Sequence, residues 1–231
     1  MALTVNHLTA GKKLTSGTSA TTASVSPAQS VVFLAVSIRN AASTDPSVSS
    51  ISGCSLTWVS AGTREVWDNT STSRRATSIW VGTGTPSSGT ITINFSETEA
   101  TCSWTVDEVG GADSSAPVVQ SNHGNNANSG NDLTITLSAF GSVNNGVYAA
   151  YGEWNALVPT QDTGYTLTYN NGDASNDPGI ASQFYAGNDT SVYIDFGAPD
   201  FIGGQAVEIK AAAAGTSVKD LIQAGFIPFA R

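Results

Sequence analysis

Apolar and polar residues alternate at every second position along most of the chain. The runs 90–95 and 133–137 are clear examples, with every apolar side chain of each run on one side. Successive side chains of a β-strand point to opposite faces, so this period predicts half-buried strands. The run 31–38 is apolar at consecutive positions. It therefore predicts a central strand that is buried on both faces.

About a dozen short strands follow from this pattern. They cover 31–38, 55–60, 64–68, 76–81, 90–95, 101–109, 133–137, 147–154, 165–169, 180–185, 191–196 and 205–210. Turn-forming residues separate them, as in 82–89 and in Asn144-Asn145-Gly146, where Asn-Gly is typical of a tight hairpin. The prediction is an all-β, antiparallel, two-sheet sandwich of the jelly-roll type, with no repeat of fixed length.

The two ends of the chain differ from its middle. Residues 1–26 are predicted to form an N-terminal arm and first edge strand, 27–212 the β-sandwich, and 213–231 a C-terminal tail. Ser217 and Asp220 resemble a helix capping box, so the tail is expected to be a short helix or an extended segment. Its apolar residues, which we expect to bind a partner, are Val218, Leu221, Ile222, Phe226, Ile227 and Phe229. They would be covered either by the chain's own sandwich or by a neighbouring subunit.

Composition narrows the range of functions. The formal net charge is −9, from 9 Lys and Arg against 18 Asp and Glu. An acidic surface repels phosphate, so we expect no nucleic-acid partner. The N-terminus lacks the pattern of a secretory signal, and no apolar run is long enough for a membrane span. Synthesis in the cytoplasm and no membrane partner are therefore expected.

Two cysteines, Cys54 and Cys102, each lie on the apolar side of an alternating run. Two are too few for a disulfide framework or a structural zinc site. Buried free thiols are the favoured state, although a disulfide joining the two strands stays open.

No catalytic motif is present, and with only two histidines, His7 and His123, neither a metal site nor an enzyme is expected. Pairs of carboxylates are candidate catalytic acids, because some jelly rolls are glycosidases that use two acids across a cleft. The candidates are Glu97 with Glu99, Asp107 with Glu108, and Glu153. Alternation points Asp107 outward and Glu108 inward, so Glu108 is the strongest candidate acid and Asp107 is expected at the surface.

Two weaker ligand sites are conceivable. Asp173, Asn176 and Asp177 could supply oxygen ligands to calcium, although turn chemistry explains the same residues, and no cofactor is expected. The large aromatic residues could form a sugar-binding platform or fill the core. They are Trp67, Trp80, Trp154, Tyr151, Tyr165 and Tyr193.

Several segments together resemble β-sandwich proteins encoded by tailed bacteriophages. They are VNHLTAG (5–11), TASVSP (22–27), SIWVGTGTPSSG (78–89), ITINFS (91–96), CSWTVDEV (102–109) and QAVEIK (205–210). The resemblance spans residues 1 to about 212 and carries no catalytic residues with it.

This resemblance implies a structural protein of the virion, such as a capsid decoration or cement protein or another surface-exposed minor component. Its partners would be other capsid or tail subunits, and it would be a homo-oligomer, with a trimer among the arrangements considered. The alternatives are a carbohydrate-binding or tail-associated adhesin that recognises a host-surface glycan and, less favoured, a glycan-degrading enzyme.

Overall fold

All regular secondary structure in the described residues is β-structure. The computed structural model describes residues 2–42, 44–68, 73–126, 130–155, 157–170 and 178–213. The strands are β1 Thr4–Lys13, β2 Gly17–Thr21, β3 Val31–Asn40, β4 Val48–Gly53, β5 Leu56–Ser60, β6 Glu65–Trp67, β7 Arg74–Gly84, β8 Ile91–Glu99, β9 Thr101–Gly110, β10 Val118–Asn125, β11 Asp132–Thr136, β12 Gly146–Glu153, β13 Thr160–Gln161, β14 Thr166–Asn170, β15 Gly179–Tyr185, β16 Ser191–Asp195 and β17 Ile202–Ile209. None of the described residues forms a helix of the length and apolar character that crossing a membrane requires.

The strands form four antiparallel sheets. Sheet I has the order β2-β8-β4, and sheet II the order β1-β9-β3-β7-β5, with β6 also paired to β7. Sheet III has the order β10-β17-β12-β15-β14, and sheet IV the order β11-β16-β13. Consecutive strands often belong to different sheets, so the connections cross between layers and tie them together.

Three hydrophobic clusters lie between the sheets and define four stacked layers. Ile91 and Ile93 of sheet I pack with Leu34 and Val36 of sheet II. The opposite face of sheet II carries Phe33 and Ile79, which pack with Tyr148 and Val207 of sheet III. The remaining face of sheet III carries Ala149 and Ala206, which pack with Val192 and Ile194 of sheet IV. Sheets II and III are therefore inner layers that are covered on both faces.

The burial of individual strands follows from this layering. Every residue of β9, β12 and β17 is buried, because each of these strands has a covered face on either side. In contrast, β11 alternates between buried and exposed residues, because one face of sheet IV is open to solvent. The predicted central strand at 31–38 is confirmed as β3, with all eight of those residues buried.

The two halves of the chain have the same strand order. If β6 is set aside, β1–β9 contribute eight strands and β10–β17 contribute eight. The strands of the two halves correspond in chain order, from β1 with β10 and β2 with β11 to β8 with β16 and β9 with β17. With this correspondence the strand order of sheet II becomes that of sheet III, and the strand order of sheet I becomes that of sheet IV. The chain is thus two sandwiches of equal topology that pack through their larger sheets.

Single residues match between the halves as well. Glu108 of β9 is paired with Asn6 of β1, and Glu208 of β17 is paired with Gln120 of β10. In both cases the edge-strand amide donates a hydrogen bond to the carboxylate, at 2.9 Å in the first half and 2.6 Å in the second. Each carboxylate also accepts hydrogen bonds from the loop that precedes the central strand of its sheet.

The all-β antiparallel sandwich predicted from the sequence is confirmed, and it contains four sheets where two were expected. The jelly-roll assignment stays a prediction. Residues of the predicted N-terminal arm form β1 and β2, and β1 is an edge strand of sheet II. The described chain ends at Ala213, directly after β17 and the short bridge from Ala211 to Ala112.

Candidate functional site

Two groups of predicted site residues lie outside the described residues. The six tail residues are Val218, Leu221, Ile222, Phe226, Ile227 and Phe229. The three candidate calcium ligands are Asp173, Asn176 and Asp177. Within the described part of the chain, no group of three or more His, Cys, Asp or Glu side chains is arranged to hold a metal ion.

Glu108, the strongest candidate acid, is engaged in structural hydrogen bonds. One carboxylate oxygen accepts the backbone N–H groups of Ala28 and Gln29 at 2.6 and 2.9 Å, and the other accepts the side-chain amide of Asn6. Glu208 contacts the corresponding loop of the second half, where it accepts the N–H of Gly141 at 3.4 Å and the side-chain amide of Asn145 at 2.6 Å. The matched role in both halves indicates that these carboxylates close the loops at one end of the inner sheets.

The expectation that Asp107 faces outward is wrong. Its side chain is fully buried, and so is that of Glu208 on the last strand. The period of two correctly assigns Asp107 and Glu108 to opposite faces of β9. Both faces are covered, however, because sheet III packs on the side of sheet II that carries Asp107.

Asp107 is the centre of a buried polar cluster between sheets II and III, which we call the Asp107 cluster. Tyr148 donates its hydroxyl to Asp107 Oδ2 at 2.6 Å, and His7 Nδ1 lies 2.8 Å from Oδ1. The hydroxyls of Thr105, Thr168 and Ser182 approach Oδ2 at 3.3 Å. Burial, reinforced by the neighbouring carboxylate, raises the pKa of Tyr148 well above its usual value, so its hydroxyl stays a donor.

Three of these donors come from the second half, so the Asp107 cluster joins the two halves. Its counterpart on the other side of the interface is apolar. In the pairing of the strands, Val207 of the second half is equivalent to Asp107 of the first, and Phe33 of the first half is equivalent to Tyr148 of the second. Similarly, Ile79 corresponds to Ser182. All three belong to the hydrophobic cluster between sheets II and III. The fold therefore does not require polar residues at these positions.

Both histidines lie beside the contact between the halves. His7 of β1 stacks on Tyr169 of β14, with ring centroids 5.1 Å apart and planes 7° apart. His123 of β10 is hydrogen-bonded through Nδ1 to Glu65 of β6, in the opposite half of the chain. The imidazoles thus contribute to holding the halves together. Sequence spacing could not reveal this, because each partner is 58 or more positions away along the chain.

The predicted aromatic residues separate into two groups. Trp67, Tyr151 and Tyr165 are in the core, while Trp80, Trp154 and Tyr193 are half-buried. The guanidinium of Arg75, itself buried and ion-paired with Asp68, lies 3.9 Å from the ring centre of Trp154. One face of that indole is therefore covered by protein.

Exposed apolar side chains concentrate where the described chain ends. Three cavities, of about 510, 480 and 360 Å³, adjoin one another there through shared lining residues. Ala213 lines the two larger ones. Five large hydrophobic side chains are exposed in the described part of the chain, and three of them line these cavities: Val59 (52% exposed), Val119 (48%) and Val143 (84%). We call this region the Ala213 end.

No sequence pattern pointed to the Ala213 end. Val59, Val119 and Val143 occur in three separate segments, and each reads by itself as an ordinary strand or turn residue. Val59 is in the first half and the other two valines are in the second, so the stacking of the two halves completes the group.

Comparison with family models, curated proteins and solved structures finds no match to this chain.

Proposed function

We propose that this chain is a structural protein of a bacteriophage particle that acts through protein–protein contacts rather than catalysis. The observation that carries the proposal is the Ala213 end, where three exposed valines and three adjoining cavities coincide on an otherwise polar, acidic protein. Contiguous exposed apolar surface marks interaction sites in soluble proteins. The resemblance of the sequence to phage β-sandwich proteins supplies the class of partner.

Within the particle, the proposed role is that of a capsid decoration or cement protein, or of another surface-exposed minor component. The contacts would be made by the Ala213 end and by residues 216–231, whose apolar side chains need a covering surface. A homo-oligomer fits this role, because a contact surface and a contact segment on every copy can satisfy one another between copies.

The test is incorporation of variants into particles. Deletion of residues 216–231 should reduce the amount of this protein in purified particles strongly, and so should the double substitution Val119→Asp/Val143→Asp. Both valines are exposed, so the two aspartates should leave the fold intact. The matched control is Val158→Asp, since Val158 is 74% exposed and follows the other end of β12. Normal incorporation of both test variants would refute the proposal.

The alternative is a glycan-binding adhesin, and one observation favours it. Trp58 of β5 and Trp80 of β7 lie on neighbouring strands at the edge of sheet II, and both rings are half-buried. The Trp58 ring lies against Gly82, where a Cβ atom would come within 2.9 Å of it. Neighbouring indoles can stack on sugar rings. Calorimetry with host polysaccharides, comparing the native chain with Trp58→Ala, tests this role, and absence of binding would count against it.

A further inference from the structure

We infer that the edge of sheet II around Trp80 binds an acidic saccharide, that is, a sugar that carries a carboxylate. The site consists of Trp58, Ser60, Arg64, Ser78 and Trp80, and we call it the Trp80 edge. This inference rests on the second candidate function, glycan binding, and it names the class of glycan. It does not depend on the role proposed for the Ala213 end.

Strand pairing brings the two indoles onto one face of sheet II. Ser60 of β5 is paired with Trp80 of β7, and Trp58 is paired with Gly82, two positions further along β7. Residues two positions apart in a strand share a face, and both indoles pack against the hydrophobic cluster between sheets I and II. Each is half-buried, so part of each ring is open to solvent. The edge therefore presents two neighbouring indoles on which sugar rings can stack.

Polar residues lie on the same face, directly beside Trp80. Ser78 is two positions before Trp80 in β7 and is paired with Val36 of β3, which belongs to the same hydrophobic cluster. β6 pairs with β7 in a register that, continued by one position, places Arg64 opposite Ser78. Opposite residues of antiparallel strands have Cβ atoms about 4.5–5.5 Å apart. The Trp80 edge therefore combines indole rings, a hydroxyl and a guanidinium on one surface.

Three polar atoms of the Trp80 edge that can donate a hydrogen bond are buried without a partner. They are Nε of Arg64, Oγ of Ser78 and Nε1 of Trp80, and none of them has a hydrogen-bond partner within the described ranges. Ser78 is only 5% exposed. Buried donors without partners are rare in folded proteins and costly to stability. Three of them at neighbouring positions therefore indicate a ligand rich in acceptors, such as the hydroxyl and carboxylate oxygens of a sugar.

The charge of Arg64 favours an anionic ligand with a single negative charge. Among the described residues, the ion pairs do not include Arg64. The neighbouring carboxylate of Glu65 points to the opposite face of sheet II, where it is hydrogen-bonded to His123 and Asn125 of β10. A guanidinium binds a carboxylate through two parallel hydrogen bonds. One guanidinium balances the single charge of a carboxylate, whereas a phosphate monoester carries nearly two charges, so a carboxylate is the better match.

Binding to matched pairs of saccharides tests this inference. The full chain is applied to an array of oligosaccharides that contain hexuronic or sialic acids, each printed beside its neutral, carboxyl-reduced counterpart. Calorimetry then measures the affinities for the strongest binder and its counterpart with the native chain, Arg64→Gln, Trp58→Ala and Arg74→Gln. The last variant is the matched control, because Arg74 is ion-paired with Asp45 and lies on the same face of β7, about 20 Å from Trp80 at 3.3 Å per residue. Thermal unfolding of each variant checks that it is folded.

The expected result is binding of an acidic saccharide, at least about tenfold weaker for its carboxyl-reduced counterpart, because the charged hydrogen bonds to Arg64 are lost. Arg64→Gln should weaken binding of the acidic saccharide by a similar factor and leave the neutral one unchanged. Trp58→Ala should weaken both, and Arg74→Gln neither. Equal binding of the acidic and neutral members, or equal losses from the two arginine variants, would overturn the acidic ligand but leave glycan binding in place. Absence of binding to every member would overturn both, and the particle-incorporation test would be unaffected.

Discussion

The Asp107 cluster provides a quantitative test of the relation between the two halves. The equivalent place on the other side of the interface shows how the two halves pack without polar groups, because Val207 of the second half and Phe33 of the first half stand there in place of Asp107 and Tyr148. Introducing the same apolar pair into the Asp107 cluster, as Asp107→Val/Tyr148→Phe, should therefore give a well-packed interface. Each single substitution, in contrast, should be costly.

The expected magnitudes follow from the hydrogen bonds. Tyr148→Phe removes a 2.6 Å bond to a carboxylate, which contributes about 1.5–3 kcal/mol when the acceptor is charged. Asp107→Val leaves the fully buried Tyr148 hydroxyl without its acceptor, at about 1–3 kcal/mol. It also removes the partner of His7, but that side chain is 32% exposed and can be hydrated instead. The double variant leaves no orphaned tyrosine hydroxyl, and replacing buried charge by packed apolar groups is often neutral or stabilising.

The assay is equilibrium urea unfolding of the native chain, the two single variants and the double variant, analysed as a double-mutant cycle. We expect the double variant to unfold within about 1 kcal/mol of the native chain, and therefore a coupling energy of about 2 kcal/mol or more between the two positions. The reasoning is refuted if the losses of the single variants simply add up in the double variant.

Three further predictions concern the described core. Burial raises the pKa of Glu99 from its ordinary 4.5 to about 7, so between these pH values the folded chain binds more protons than the unfolded chain. The contribution of Glu99 to stability should therefore fall as the pH rises through that interval. Glu99→Gln should remove this pH dependence of the unfolding free energy, as measured by urea titrations at pH 5 and pH 8, and an unchanged dependence would contradict the prediction. Gly203→Ala should destabilise the fold by about 2 kcal/mol or more in thermal unfolding, because the added Cβ would lie 2.0 Å from the ring of Trp67, and a neutral result would contradict that packing. Finally, Cys54 and Cys102 are free and buried, so an alkylating reagent should modify these two thiols only after the chain unfolds. Mass spectrometry counts the modified thiols, and rapid labelling of the folded chain would argue against their burial.

Local sequence patterns predicted the strands well and the number of layers poorly. The apolar run of β3 correctly indicated a strand with two covered faces. The other inner strands carry polar residues such as Asp107 and Gln205, which are buried against the opposite half of the chain and have partners there. A polar residue reads as solvent-facing when its partner lies 41 or 126 positions away, so the third and fourth sheets could not be inferred.

The relation between the halves was hidden for a similar reason. Equivalent positions preserve a role rather than a residue type, as with Phe33 and Tyr148, which stack on each other with ring centroids 4.9 Å apart. Glu108 and Glu208 are an identical pair, but a single shared residue in two short strands does not stand out from chance. The hydrogen bonds from each carboxylate to its own loop make the equivalence recognisable, and only the folded chain shows them.

The candidate site could not be located from local sequence patterns. The absence of catalytic motifs and the apolar tail led to the expectation of a protein that acts by contact, which stays a prediction. The contact surface itself depends on Val59, Val119 and Val143 meeting at one end. Such convergence of distant segments is a property of the topology, which alternation alone does not specify.

The central claim, that the Ala213 end attaches this protein to a phage particle, is tested most directly by measuring its copy number in purified particles. Quantitative mass spectrometry would compare particles assembled with the native chain, with Val119→Asp/Val143→Asp and with the control Val158→Asp. The proposal predicts a fixed ratio of the native chain and of the control to the major capsid protein, and a reduction of about tenfold or more for the double variant, as expected when two charges enter an apolar contact. Equal copy numbers for all three chains, or no native chain in the particles, would contradict it.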